Sequence, residues 1–106
     1  MTGFALNDLD AIVAERSQSD AQKSYTKSLL EAGMGRVAKK FGEEAVEAVI
    51  AATENNAEAL AAEAADVLYH LLVMLRCAEV PLDRVMAILA DRTKQSGLAE
   101  KASRQS

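Results

Sequence analysis

The sequence predicts an all-α protein, and three observations carry that expectation: 21 of 106 residues are Ala, only four are aromatic, and the apolar residues recur at helical spacing along most of the chain. Ala is the strongest helix former, whereas a sheet calls for the aromatic and β-branched residues that are scarce here. The length predicts one domain spanning 1–106, small enough to gain from a core shared with a second chain. About five helices are expected.

The first helix is carried by Leu6, Leu9, Ile12 and Val13, and its pattern dissolves into a loop at Ser17-Gln18-Ser19-Asp20. Ser24 reads as the N-cap of a brief second helix bearing Leu29 and Leu30, ended by Gly33, with Gly35 permitting the turn into the next segment. The third helix is expected from Gly35 to Thr53, with Gly42 weakening its first half by about 1 kcal/mol relative to Ala. In Asn55-Asn56-Ala57-Glu58 we read a capping box with Asn55 as N-cap, which opens a fourth helix running to about Ala78. Pro81 suits the first turn of a fifth helix through Val85, Met86, Ile88 and Leu89 that stops before Gly97. The remainder, 98–106, reads as a flexible tail. Helices three and four, joined by a very short turn, are expected to form a central antiparallel αα-hairpin.

The formal charge of −4 is unevenly spread. From Phe41 to Leu75 there are seven acids and no Lys or Arg, which makes −7; the other nine acids and twelve bases make +3. An acidic centre repels polyanions unless divalent cations intervene, so no nucleic-acid partner is expected, and no apolar run is long enough for a membrane span. The single Cys77, read as a buried small hydrophobe, and the single His70 exclude a disulfide framework and a Cys/His zinc site, and point to the cytoplasm.

Four of the acids form two pairs. Glu44 and Glu47 are i, i+3 on the third helix beside a stripe of Val37, Phe41 and Ala48; Glu63 and Asp66 are i, i+3 on the fourth, bordering Leu60, Ala64, Val67 and Leu71. Measured from the turn at 1.5 Å per residue, Glu47 and Glu63 stand about 11–13 Å away and Glu44 and Asp66 about 16–17 Å. An antiparallel hairpin would therefore bring all four carboxylates together. Mutual repulsion is relieved by a hard divalent cation, and oxygen-only ligation suits Mg²⁺ or Mn²⁺. A solvated acidic face is the competing reading, and a di-iron site would need a second Glu-x-x-His motif that the chain lacks. His70, one turn beyond Asp66, is expected to hydrogen-bond it rather than bind metal. Lys40 is the leading candidate to meet an anionic substrate group, with an i, i+4 salt bridge to Glu44 as its alternative; Lys39, Arg92, Lys94 and Lys101 follow, and Ser24 and Thr26 could hydrogen-bond such a group or cap a helix.

Glu43-Glu44-Ala45-Val46-Glu47 and Glu63-Ala64-Ala65-Asp66 resemble the EExxE…ExxD signature of the all-α nucleoside-triphosphate pyrophosphohydrolases. Ser24-Tyr25-Thr26, Lys39 to Glu44, Asp66 to Val73, Arg92, Ser96-Gly97 and Glu100-Lys101 narrow the likeness to the phosphoribosyl-ATP pyrophosphohydrolase family, from about Leu9 to Arg104. The resemblance implies Mg²⁺-dependent hydrolysis of the α–β phosphoanhydride of phosphoribosyl-ATP to phosphoribosyl-AMP and pyrophosphate, the second step of histidine biosynthesis, in a helical homodimer. It carries metal ligation onto Glu44, Glu47, Glu63 and Asp66. In such a reaction Glu43 or Glu47 would orient or deprotonate the attacking water. Two alternatives stay open: a pyrophosphohydrolase of dCTP or dUTP type, and a non-catalytic helical dimerisation module. A dimer is also expected from the residues themselves, because Val46 and Ile50 on helix three, and Tyr69 and Val73 on helix four, lie away from the main apolar stripes and need a four-helix-bundle-like core shared between two chains.

Overall fold

The computed structural model describes residues 3–20 and 24–94. The elements are α1 (Leu6–Ser17), α2 (Tyr25–Ala32), α3 (Met34–Thr53), α4 (Ala57–Cys77) and α5 (Leu82–Arg92), with no strand among the described residues. The expected tail, Ser96-Gly97, Glu100 and Lys101 lie outside the described residues.

Helix ends follow from local chemistry. Asp8 accepts from the Ala5 N–H at 2.8 Å, half of a capping box; Ala5 has no side-chain acceptor to make the other half. The first helix runs one turn further than its apolar pattern, because Ser17 is buried and donates to the Ala14 carbonyl at 2.6 Å. Ser24 is the N-cap of α2, accepting from the Lys27 N–H at 3.2 Å while donating to the Arg16 carbonyl at 3.1 Å. Removing that hydroxyl uncaps α2 and breaks its tie to α1, while the Arg16 carbonyl keeps the Ser19 N–H at 3.1 Å, so Ser24→Ala is expected to cost about 1 kcal/mol, read as a lowered urea midpoint with an unchanged m-value.

Three boundaries differ from expectation. The turn into α3 is made at Gly33, whose φ of +98° suits glycine, and Gly35 lies inside the helix. Between α3 and α4, Asn55 is not the N-cap. It sits in the left-handed region at φ +56° as the C-terminal stop of α3, with its N–H on Ala52 O (3.1 Å) and that of Asn56 on Ala51 O (3.0 Å), a Schellman pattern. Asn56 caps α4 by accepting from the Ala59 N–H at 3.0 Å. Glu79 ends α4 in the same way, at φ +59°, and Pro81 stands at the N-cap of α5 rather than within its first turn.

With three residues between them, α3 and α4 double back and form the most extensive helix pairing in the molecule. Helices α1, α2 and α5 cover only one end of this pair. The core joins Val13, Leu29, Val37, Leu72, Val73 and Leu82, with Tyr69, Cys77 and Val85 half-buried against it. The half nearer the turn is left bare: Val46, Val49 and Ile50 on α3 and Leu60 on α4 are exposed, and the exposure continues to Leu68 at the middle of α4. The apolar stripe assigned to α4 from periodicity is covered only in part, at the half-buried Val67 and Leu71. Val73 is fully buried and Tyr69 packs on the core, whereas Leu60 and Ala64 face outward, because α1 and α2 pack on the Tyr69–Val73 side. Cys77 is half-buried rather than fully buried. No helix among the described residues is long and apolar enough to cross a membrane.

Candidate metal centre

At the border between the covered and bare halves, α3 and α4 bring three carboxylates together. One oxygen each of Glu44, Glu63 and Asp66 lies within 4.8 Å of the others, with Glu44 buried, Glu63 half-buried and Asp66 exposed. Glu47 is outside that group but its carboxyl abuts that of Glu63, and both line a small cavity of about 230 Å³ with Ile50 and Ala51. Three of the four expected ligands thus converge and the fourth stands beside them.

The electrostatics of Glu63 mark the site. Its carboxyl is held above the usual carboxylate range, first by burial, next by the contact with Glu47, and then by the charges of Glu47, Glu44 and Asp66. Glu63 Oε2 is buried and has no hydrogen-bond partner among the described residues. Two ionised carboxylates cannot hydrogen-bond each other, so the Glu47–Glu63 contact needs a shared proton or a nearby cation. Oxygen-only donors with an orphaned buried oxygen can hold a hard divalent cation such as Mg²⁺ or Mn²⁺.

Lys40 qualifies the picture of acids kept apart from bases. Its Nζ is 3.2 Å from Glu44 Oε1 and 4.0 Å from Glu43 Oε1, so the i, i+4 bridge forms. The hydrogen bond to Glu44 keeps its ammonium charged above the usual lysine range. Lys40 also lines a cavity of about 210 Å³ with Tyr25, Arg36, Lys39 and Glu43. Of the two candidates to act on water, the exposed Glu43 faces this basic cavity and Glu47 faces Glu63.

His70 bonds Asp66 as expected, but through the main chain: Nδ1 is 2.7 Å from the Asp66 carbonyl oxygen. A carbonyl only accepts, so in the neutral ring Nδ1 donates and Nε2 is left to accept from the Tyr25 hydroxyl, 3.0 Å away. Both ring nitrogens are engaged, and neither is available to a metal. Burial raises the affinity of the Tyr25 hydroxyl for its proton, with the Lys40 charge opposing, which suits a donor to His70. The hydroxyl of Thr26 is fully buried and engaged with that of Tyr69, and that of Ser24 is committed to capping. Arg92 stands in the last turn of α5, which adds nothing to the described cavities lined by Glu43, Glu47, Glu63 or Asp66.

Sequence reasoning gave Arg16 no role, named Tyr25 only within the Ser24-Tyr25-Thr26 motif and read Tyr69 as part of a face covered by a second chain. A cavity of about 540 Å³ opens beside Asp66, lined by Arg16, Ser24, Tyr25, Tyr69 and His70 among others, and Tyr25 stands in the wall of both this cavity and the lysine-lined one. These contacts join residues 43 to 53 positions apart, so helical spacing carries no trace of them.

Residues 6–93 match the model of a family described as phosphoribosyl-ATP pyrophosphohydrolase. A phosphoribosyl-ATP pyrophosphatase of Rhizobium johnstonii is 58% identical over 106 residues, covering 100% of this chain and 99% of its own. One from Methylobacterium nodulans is 58% identical over 104 residues (98% and 97%), and one from Agrobacterium fabrum is 55% identical over 104 residues with the same coverage.

Proposed function

Because the chain belongs to the phosphoribosyl-ATP pyrophosphohydrolase family and is a hydrolase, we propose that it cleaves the α–β phosphoanhydride of phosphoribosyl-ATP, with Mg²⁺ or Mn²⁺, to phosphoribosyl-AMP and pyrophosphate. This is the second step of histidine biosynthesis, placed in the cytoplasm and carried by one domain over 1–106. Membership of an enzyme family sets aside the non-catalytic alternative. The observation that supports the reading best is the Glu44–Glu63–Asp66 trio with its orphaned Glu63 oxygen.

Phosphoanhydride hydrolysis demands charge neutralisation and positioning rather than a covalent nucleophile. Glu44, Glu63 and Asp66 would hold the cation, with Glu47 beside Glu63 as the fourth ligand or a proton acceptor. When bound, a divalent cation neutralises phosphate oxygens and acidifies water. Glu47 is the better placed to orient water or take its proton, because Glu43 faces away toward the basic cavity. Lys40, anchored on Glu44 and flanked by Lys39 and Arg36, offers positive charge to the polyphosphate next to the carboxylates. His70 and Tyr25 steady the α4 backbone at Asp66. The bare half of the α3–α4 pair, with Val46, Val49, Ile50, Leu60 and Leu68 exposed, supports a homodimer that covers it and completes a bundle-like core.

The test is pyrophosphate release from phosphoribosyl-ATP by protein stripped of metal. No turnover is expected in chelator, with recovery on adding Mg²⁺ or Mn²⁺ and a raised unfolding midpoint in their presence. Full turnover in chelator would refute the metal reading, and preference for dCTP or dUTP would refute the substrate.

A further inference from the structure

The substrate reading leaves Arg16, beside the carboxylates, without a role. Phosphoribosyl-ATP carries two separate anionic groups, the triphosphate on one ribose and a phosphomonoester on the other. A single basic cavity would hold any nucleoside triphosphate equally well. The structure has two cavities on either side of Tyr25: the smaller is lined by Arg36, Lys39 and Lys40, and the larger has Arg16 as the one guanidinium or ammonium among its described lining residues.

We propose that Arg16 binds the phosphomonoester of the phosphoribosyl group in the larger cavity, while the lysine-lined cavity takes the polyphosphate, so that Arg16 selects phosphoribosyl-ATP over nucleotides with a polyphosphate alone. The assignment rests on the substrate reading above. Three observations support it. Asp66, one of the carboxylate trio, is in the cavity wall, so a sugar phosphate seated there is contiguous with the reacting phosphates. The Arg16 side chain is exposed but tethered: Nη1 donates to the Tyr69 hydroxyl at 3.4 Å, and that hydroxyl is engaged with buried Thr26. Its backbone is fixed by Ser24, which donates to the Arg16 carbonyl. A tethered planar fork suits two-pronged recognition of a phosphate dianion, and a volume of about 540 Å³ is in the range of small-molecule sites.

The experiment is steady-state kinetics of the full chain with Mg²⁺, comparing wild type, Arg16→Gln and Arg16→Lys. Arg16→Gln is expected to raise KM for phosphoribosyl-ATP about 10- to 100-fold, the worth of charge-assisted hydrogen bonds, with kcat within about threefold. Ribose 5-phosphate, which carries the same group without the adenylate, should compete in the wild type, and its inhibition constant should rise about tenfold in the variant while that of pyrophosphate changes less than about twofold. Arg16→Lys keeps the charge at the α1 C-terminus without the fork, and is expected to fall between the two; it carries the comparison if Arg16→Gln fails to fold. A KM within about twofold of wild type, equal weakening of both inhibitors, or no competition by ribose 5-phosphate overturns the assignment. A wild type that releases no pyrophosphate from phosphoribosyl-ATP defeats the substrate reading itself, whereas an active wild type with an unaltered variant defeats only the role of Arg16.

Discussion

Asp66→Asn and Glu44→Gln are each expected to lower pyrophosphate release by about 10²- to 10⁴-fold, the several kcal/mol by which a held cation stabilises a phosphoryl transition state. The same changes should not destabilise the metal-free protein, and here the sign is informative. Without a cation, the Glu63 carboxyl holds its proton more tightly because it is buried beside Glu47, Glu44 and Asp66, so removing one of those neighbouring charges relieves repulsion. The unfolding midpoint in chelator is expected to stay level or rise, and the rise produced by Mg²⁺ to disappear. Asp66→Asn is the cleaner variant, because its side chain is exposed. Glu44→Gln also frees Lys40, but that ammonium is one-third exposed and can turn to water at little cost. Activity retained in either variant would refute ligation. A midpoint that falls in chelator would mark the carboxylate as structural instead.

The acid cluster was legible in the sequence because it depends on short-range geometry alone. Two i, i+3 pairs on consecutive helices, tied by three residues, meet at a height set by the rise per residue, and only Glu47 stands apart from the converging group. The second helix and its Ser24 cap were legible for the same reason. What periodicity does not carry is which neighbour a helix face meets. Both faces of α4 are apolar, and the choice between Leu60–Ala64 and Tyr69–Val73 was made by α1 and α2, which arrive from far along the chain. Tyr25 reaches His70, and Arg16 reaches Tyr69, through the same tertiary docking. The exchange of roles between Asn55 and Asn56 has a local cause. Either Asn can cap a helix, but a chain leaving α3 needs a left-handed residue first, a conformation Asn tolerates.

Leu72→Ala tests the other half of the architecture, the one-ended core that holds α4 in place. Leu72 is 1% exposed, packed in the core with Val13, Leu29, Val37, Val73 and Leu82, so truncation leaves a cavity that the facing helices cannot close. The expected cost is about 2–5 kcal/mol, a large share of the 5–15 kcal/mol available to a domain, and the urea midpoint should fall steeply. Leu68 lies one turn away on the same helix but is 42% exposed, so on a monomer Leu68→Ala should cost under about 1 kcal/mol. The pair therefore separates two sources of burial. If a second copy covers the bare half of α3 and α4, the Leu68→Ala loss grows and both midpoints rise with protein concentration, alongside sedimentation as a dimer at micromolar concentration. If Leu72→Ala costs no more than Leu68→Ala at every concentration, the core lies elsewhere and the packing that positions Asp66 and His70 is not the one described.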